Sequence, residues 1–113
     1  MDFTGTWHIF EMEIWGEDYF NMEVQAYIEI NSSMLGNFQF GLVKADINEV
    51  NYEDEERLEF TWEGNEENDP MSGSGCLKMI DNDLLEGEFR IQKGDSSRFR
   101  ARRGRRRLFN NNT

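Results

Sequence analysis

Along residues 19–30 the side chains alternate between apolar and polar without a break. Phe20, Met22, Val24, Ala26, Ile28 and Ile30 share one parity, and Tyr19, Asn21, Glu23, Gln25, Tyr27 and Glu29 the other. A period of two places successive side chains on opposite faces of a strand, so the stretch predicts a strand with one dry face and one wet face. The same rhythm returns downstream. Phe38, Phe40 and Leu42 mark the inward face of a strand over 37–43. Leu58, Phe60 and Trp62 alternate with Glu59, Thr61 and Glu63, and Leu85, Gly87, Phe89 and Ile91 alternate with Glu86, Glu88, Arg90 and Gln92. No stripe of period 3.6 is sustained anywhere, which excludes a helical fold.

Further strands are predicted over 6–14, 46–52, 75–80 and 97–103. In the first, Trp7 and Ile9 share one face, while His8, Phe10, Met12 and Ile14 share the other. A bulge reconciles the two apolar sets. Turn signals separate the strands: Gly16, Glu17 and Asp18; Asn31, Ser32 and Ser33; the acidic run Glu53, Asp54, Glu55 and Glu56; Asp81, Asn82 and Asp83; Gly94 and Asp95. The longest predicted loop, 64–72, holds the single proline, Pro70.

Eight short strands joined by short turns must be antiparallel neighbours. With one apolar face they close most economically into an up-and-down barrel, which leaves no sheet edge exposed. The predicted class is therefore all-β, a single barrel over residues 1–103, with a flattened β-sandwich as the alternative. Residues 104–113 are read as a mobile basic and polar tail.

At 113 residues the chain suffices for one domain with its own core, and nine Phe, three Trp and three Tyr argue for a folded one. The net charge of −11 is unevenly spread: all 23 acidic residues lie at or before Asp95, and seven of the twelve basic residues lie after Ser97. The acidic body repels nucleic acid and anionic membrane, so neither is an expected partner. One cysteine cannot form an internal disulfide, no signal pattern opens the chain, and no apolar run approaches about 18 residues. The expected setting is cytoplasmic.

The predicted inward set includes Phe20, Met22, Val24, Phe38, Phe40, Phe60, Trp62 and Phe89. An eight-stranded barrel is either filled by its side chains or holds one small ligand. The large aromatics favour filling; if a pocket exists, these eight residues line it. Glu63, Glu66, Glu67 and Asp69 are the best concentration of oxygen ligands, in a spacing unlike an EF-hand, and read otherwise as a solvated turn. Glu11 and Glu13 form an acid/base pair only if both point inward, and a bulge turns them out. His8 has no nucleophile in a recognised relation to it, and Cys76 has no basic neighbour in sequence to lower its pKa. No catalytic constellation and no cofactor are implied.

Gly5 and Trp7 on the first strand, with Arg103 ending the last, resemble the calycin signature of lipocalins and fatty-acid-binding proteins. That resemblance implies a barrel closed by an indole plugging one end, with the arginine packed across it. A second resemblance covers most of the chain. Phe38, Phe40 and Gly41; Phe60, Trp62, Glu63 and Gly64; Glu67 and Asp69; Gly73 and Gly75; Leu85 and Gly87; and the run Gly94, Asp95, Ser97, Phe99, Ala101 and Arg103 are similar to a family of small uncharacterised bacterial β-barrel proteins. It implies the strand order and carries no activity.

Two functions follow as expectations. The first is a non-enzymatic module that binds a partner or itself through Trp15, Tyr19 and Tyr27. The alternative is a carrier of a small apolar ligand.

Overall fold

A computed structural model describes residues 2–104, and eight antiparallel strands close into one barrel in sequence order. They are β1 (Gly5–Met12), β2 (Tyr27–Ile30), β3 (Gly36–Phe40), β4 (Val43–Asp54), β5 (Arg57–Glu66), β6 (Asp69–Asp81), β7 (Leu84–Ile91) and β8 (Ser96–Arg103). One helical turn, α1 (Glu17–Phe20), lies between β1 and β2. The expected tail lies, from residue 105 on, outside the described residues. Each strand pairs with its chain neighbours, and β8 returns beside β1 with Trp7 opposite Arg103.

The alternation read from sequence is the alternation of the barrel wall. Leu58, Phe60, Trp62, Leu77, Leu85, Phe89, Phe99 and Ala101 are buried. Glu86, Arg98 and Arg100 face outward, so the wall is apolar inside and charged outside, the reverse of a membrane-spanning barrel. Among the described residues no helix is long and apolar enough to cross a membrane.

In β1 the register against β8 slips between Ile9 and Glu11. The extra residue, Phe10, stays outside with the Arg102 guanidinium 4.3 Å above its ring, and Met12 is brought back inside. Glu11 and Glu13 are consequently exposed.

Three boundaries differ from the sequence reading, each for a local reason. Residues 19–30 are not one strand: the chain makes a helical turn to Phe20, loops, and becomes strand only at Tyr27. Gly16 followed by two acidic residues suits a helix start, and the Asn21 side chain accepts the Ala26 N–H at 2.8 Å, which holds the loop. The strand placed over 37–43 turns at Gly41 and Leu42, so Val43 opens β4 rather than ending β3. The loop placed over 64–72 is a hairpin with a two-residue turn at Glu67 and Asn68. Pro70 is accommodated near the start of β6, where a missing N–H is tolerated.

Nine large rings fit a narrow barrel because the strand opposite several of them carries glycine. Phe60 faces Gly75, Trp62 faces Gly73, and Phe99 faces Gly87 across the sheet. A Cβ on Gly87 would stand 2.5 Å from the Phe99 ring and 2.6 Å from the Cys76 carbonyl. The ring occupies the space a side chain would need.

Candidate functional site

The interior was expected to be filled by its aromatics, or else to hold a pocket lined by the same residues. Phe20, Phe38, Phe40, Phe60, Trp62 and Phe89 are all buried there. Phe89 is the hub: its ring centroid lies 4.4 Å from Phe38, 5.1 Å from Phe40, 6.3 Å from Phe60 and 4.3 Å from Phe99. Phe38 also meets Trp62 edge-on at 5.2 Å. These are ring-to-ring contact distances, and each such pair adds about 0.5–1.5 kcal/mol beyond burial. Met22 and Val24 correct the expected pocket lining. They are 52% and 43% exposed, because the helical turn and loop break the strand parity that placed them inside.

Hollows on the outer wall are lined by charged side chains, one by Glu11, Glu13, Glu86, Arg98 and Arg100, another by Lys44, Asp46 and Glu63 among others. Arg98 bonds Glu13 at 3.1 Å, and Arg100 bonds Glu86 at 3.1 Å. The Arg98 guanidinium holds the Glu13 carboxyl below the usual carboxylate range. Arg90 bridges Glu88 at 2.8 Å and Glu59 at 3.1 Å, and its hydrogen bonds to them raise its already high pKa. Cys76 lies half-buried near this group, and burial raises its thiol pKa, so it is no activated nucleophile. The His8 Nδ1 is buried with no hydrogen-bond partner among the described residues.

The four carboxylates considered for metal are not gathered. Glu63 accepts from the Asn48 amide at 3.0 Å, and Glu66 accepts from the Tyr19 hydroxyl at 3.3 Å. Glu66 and Asp69 face each other across the hairpin whose turn contains Glu67. Among the described residues no group of three or more His, Cys, Asp or Glu is placed to hold a metal ion.

The two barrel ends are closed differently. At the end where β8 finishes, Trp7 is fully buried and donates its indole N–H to the Phe3 carbonyl at 2.9 Å. Arg103 lies over the indole with its guanidinium carbon 4.1 Å from the ring centroid. The same guanidinium donates to the carbonyls of Asn82 at 2.7 Å, Thr4 at 3.0 Å and Asp2 at 3.0 Å. Gly5 has φ +119°, a conformation closed to other residues, whereas a Cβ there would meet Arg103 only at 3.5 Å. Its requirement is the dihedral angle.

At the opposite end, residues 13–26 form a cap. Trp15 packs on Phe40 at 5.1 Å and stacks with Tyr19 at 6.1 Å, while the Tyr19 ring lies on Gly41. The Gly41 N–H donates to the Phe20 carbonyl at 2.9 Å, and the Leu42 N–H donates to the Tyr19 hydroxyl at 3.3 Å. Burial and the adjacent Glu66 raise the Tyr19 pKa. Tyr27 is engaged too, donating to Asn37 at 2.7 Å. Trp15, Tyr19 and Tyr27, read as the contact surface from sequence, thus anchor the fold. The side chains turned outward from the cap segment are Ile14, Met22 and Val24. The reading of 19–30 as one strand concealed Met22 and Val24.

Comparison with protein-family models, with curated proteins and with solved structures finds no match to this chain.

Proposed function

We propose that the chain is a non-enzymatic interaction module that self-associates through the cap over one barrel end. The observation that carries this is the arrangement of the cap: Trp15, Tyr19 and Phe20 fix it from beneath, while Ile14, Met22 and Val24 stand 45%, 52% and 43% exposed above. Apolar side chains presented on a fixed surface lose little conformational freedom on contact, which favours association. The contacting rings of Phe38, Phe89 and Phe99 leave the interior poorly suited to a stored ligand and weigh against the carrier reading. Closure by Trp7 and Arg103 supports a calycin-like assignment, and the motif set supports kinship with the small bacterial barrels it resembles. The lone thiol of Cys76 supports a reducing, cytoplasmic setting.

The test is sedimentation velocity across a concentration series, on the parent and on Met22→Asp/Val24→Asp. The parent sediments above the monomer mass at micromolar concentration, through an interface of about 1,000 Å² or more, and the variant as a monomer with unchanged circular dichroism. A parent that stays monomeric throughout contradicts the proposal.

A further inference from the structure

Strand β1 pairs with β8 as far as Met12 opposite Phe99, and the next residue, Glu13, begins the cap. The Glu13 N–H still donates to the Arg98 carbonyl at 2.8 Å. In a continuing antiparallel ladder the Arg98 N–H would return the bond to the Glu13 carbonyl. It donates instead to the Glu13 carboxylate, at Oε1, at 3.1 Å, and the Arg98 guanidinium donates to Oε2, also at 3.1 Å. The carboxylate takes the place of a backbone acceptor, and the ladder ends there. The next N–H, that of Ile14, also goes to a side chain, the Ser97 hydroxyl at 3.3 Å. Ser97 is fully buried and donates in turn to the Arg98 carbonyl at 3.1 Å.

The residues that follow this junction matter to the cap. Ile14 is exposed on it, and Trp15 anchors it on Phe40. Among the described residues, the charged groups around the Glu13 carboxylate are Arg98 and Arg100 from β8, Glu11 from β1 and Glu86 from β7. Glu88 of β7 acts on Arg98 as well. Arg100 is bonded to Glu86, which leaves Arg98 as the cation on Glu13. The Arg98 side chain is 75% exposed, and exposed pairs add little to overall stability. What this one fixes is a position.

We propose that the Glu13 carboxylate is an acid-released latch that sets the cap, with Ile14 and Trp15, against the barrel. Its bearing on function rests on the self-association proposed above: closed, it holds Ile14 in the association surface, and open, it lets copies separate. Protonation turns one carboxylate oxygen into a donor that faces a guanidinium able only to donate, so one of the two bonds is lost. Hydrogen bonds from the Arg98 side chain, then from its backbone, hold the Glu13 carboxyl below the usual carboxylate range. The latch is therefore fully closed above the ordinary carboxylate value and opens as pH falls through the lower folded one.

The experiment uses the full chain carrying Met22→Asp/Val24→Asp, so that cap order is read without association. The Glu13 side-chain carboxyl ¹³C shift and the amides of Glu13, Ile14 and Trp15 are followed from about pH 7 to about pH 2.5. All four move in one step below the ordinary carboxylate value, and Ile14 loses hydrogen-exchange protection with them. Adding Glu13→Gln, whose amide donates where the carboxylate accepts, gives the opened spectrum already at pH 7 and abolishes the step. Adding Arg98→Gln moves the step to higher pH. In otherwise unaltered protein at pH 7, Glu13→Gln sediments as a monomer with an unchanged urea midpoint. Amides of residues 13–15 that ignore both the titration and Glu13→Gln overturn the latch and leave self-association standing. A step that survives Glu13→Gln overturns it too, since another carboxylate is then the trigger. A parent that is monomeric at every concentration, with the step intact, overturns the self-association and the latch's control of it, but not the latch itself.

Discussion

The guanidinium of Arg103 stands 4.1 Å above the indole of Trp7, joining the last strand to the first. Three carbonyl oxygens from two separate segments hold it there. One arginine therefore fixes the N-terminal lead, the β6–β7 turn and the β1–β8 seam together. Trp7→Ala is expected to cost about 3–5 kcal/mol, as truncation of large buried aromatics does. Arg103→Met keeps apolar cover but releases the carbonyls, and costs about 1.5–3 kcal/mol. In urea unfolding, the double variant costs less than the sum of the two by about 0.5–2 kcal/mol. Strict additivity would mean the two groups act separately.

Phe99 rests on Gly87 in the space a Cβ would take. Gly87→Ala is therefore predicted to destabilise by about 1–3 kcal/mol through overpacking against ring and backbone. Gly87→Ala combined with Phe99→Leu recovers part of that loss. Thermal unfolding of the four proteins measures the coupling, and no recovery would show that the Cys76 carbonyl, not the ring, sets the limit.

The strand phases of β5, β7 and β8 were legible because one face of each is dry and the other wet, so parity alone assigns Phe60, Phe89 and Phe99 inward. The bulge in β1 was legible as well, since Trp7 and Met12 stand at opposite parity and both are apolar. Residues 19–30 misled for the same reason that the others informed. Met22 and Val24 continue the parity of Phe20 and Ile28, yet the dihedral angles of a helical turn reset it, and nothing in a period-two count records that reset. The site inherited the error: Met22 and Val24, exposed on the cap, were counted as core. The hairpin around Glu67 was hidden by Pro70, whose place beside a turn needs no N–H.

Tyr19 makes the cap sensitive to alkali. Its folded pKa is raised by burial, then by Glu66 and Glu67. The stabilisation it contributes is full below its unfolded value of about 10 and is lost as pH rises through the higher folded value. In the parent, ultraviolet titration shows all three tyrosines ionising late, each raised chiefly by burial, with Trp15 fluorescence changing in step with one of them. Tyr19→Phe loses one of the three late ionisations and the Trp15 change with it. A Tyr19 that titrates at about 10 without disturbing Trp15 contradicts the cap geometry.

Copies of a chain with net charge −11 repel one another at low ionic strength. Association through Ile14, Met22 and Val24 is then expected to strengthen as salt rises from about 20 to about 300 mM, opposite to an ion-paired interface. Light scattering at fixed protein concentration follows it, and dissociation by salt would move the interface to the charged wall.

The most direct test of a filled barrel acting through its surface is native mass spectrometry of the protein taken from cells that make it. The account predicts the bare chain mass and multiples of it, with the multiples absent from Met22→Asp/Val24→Asp. A monomer carrying a small apolar molecule through mild desolvation would contradict it.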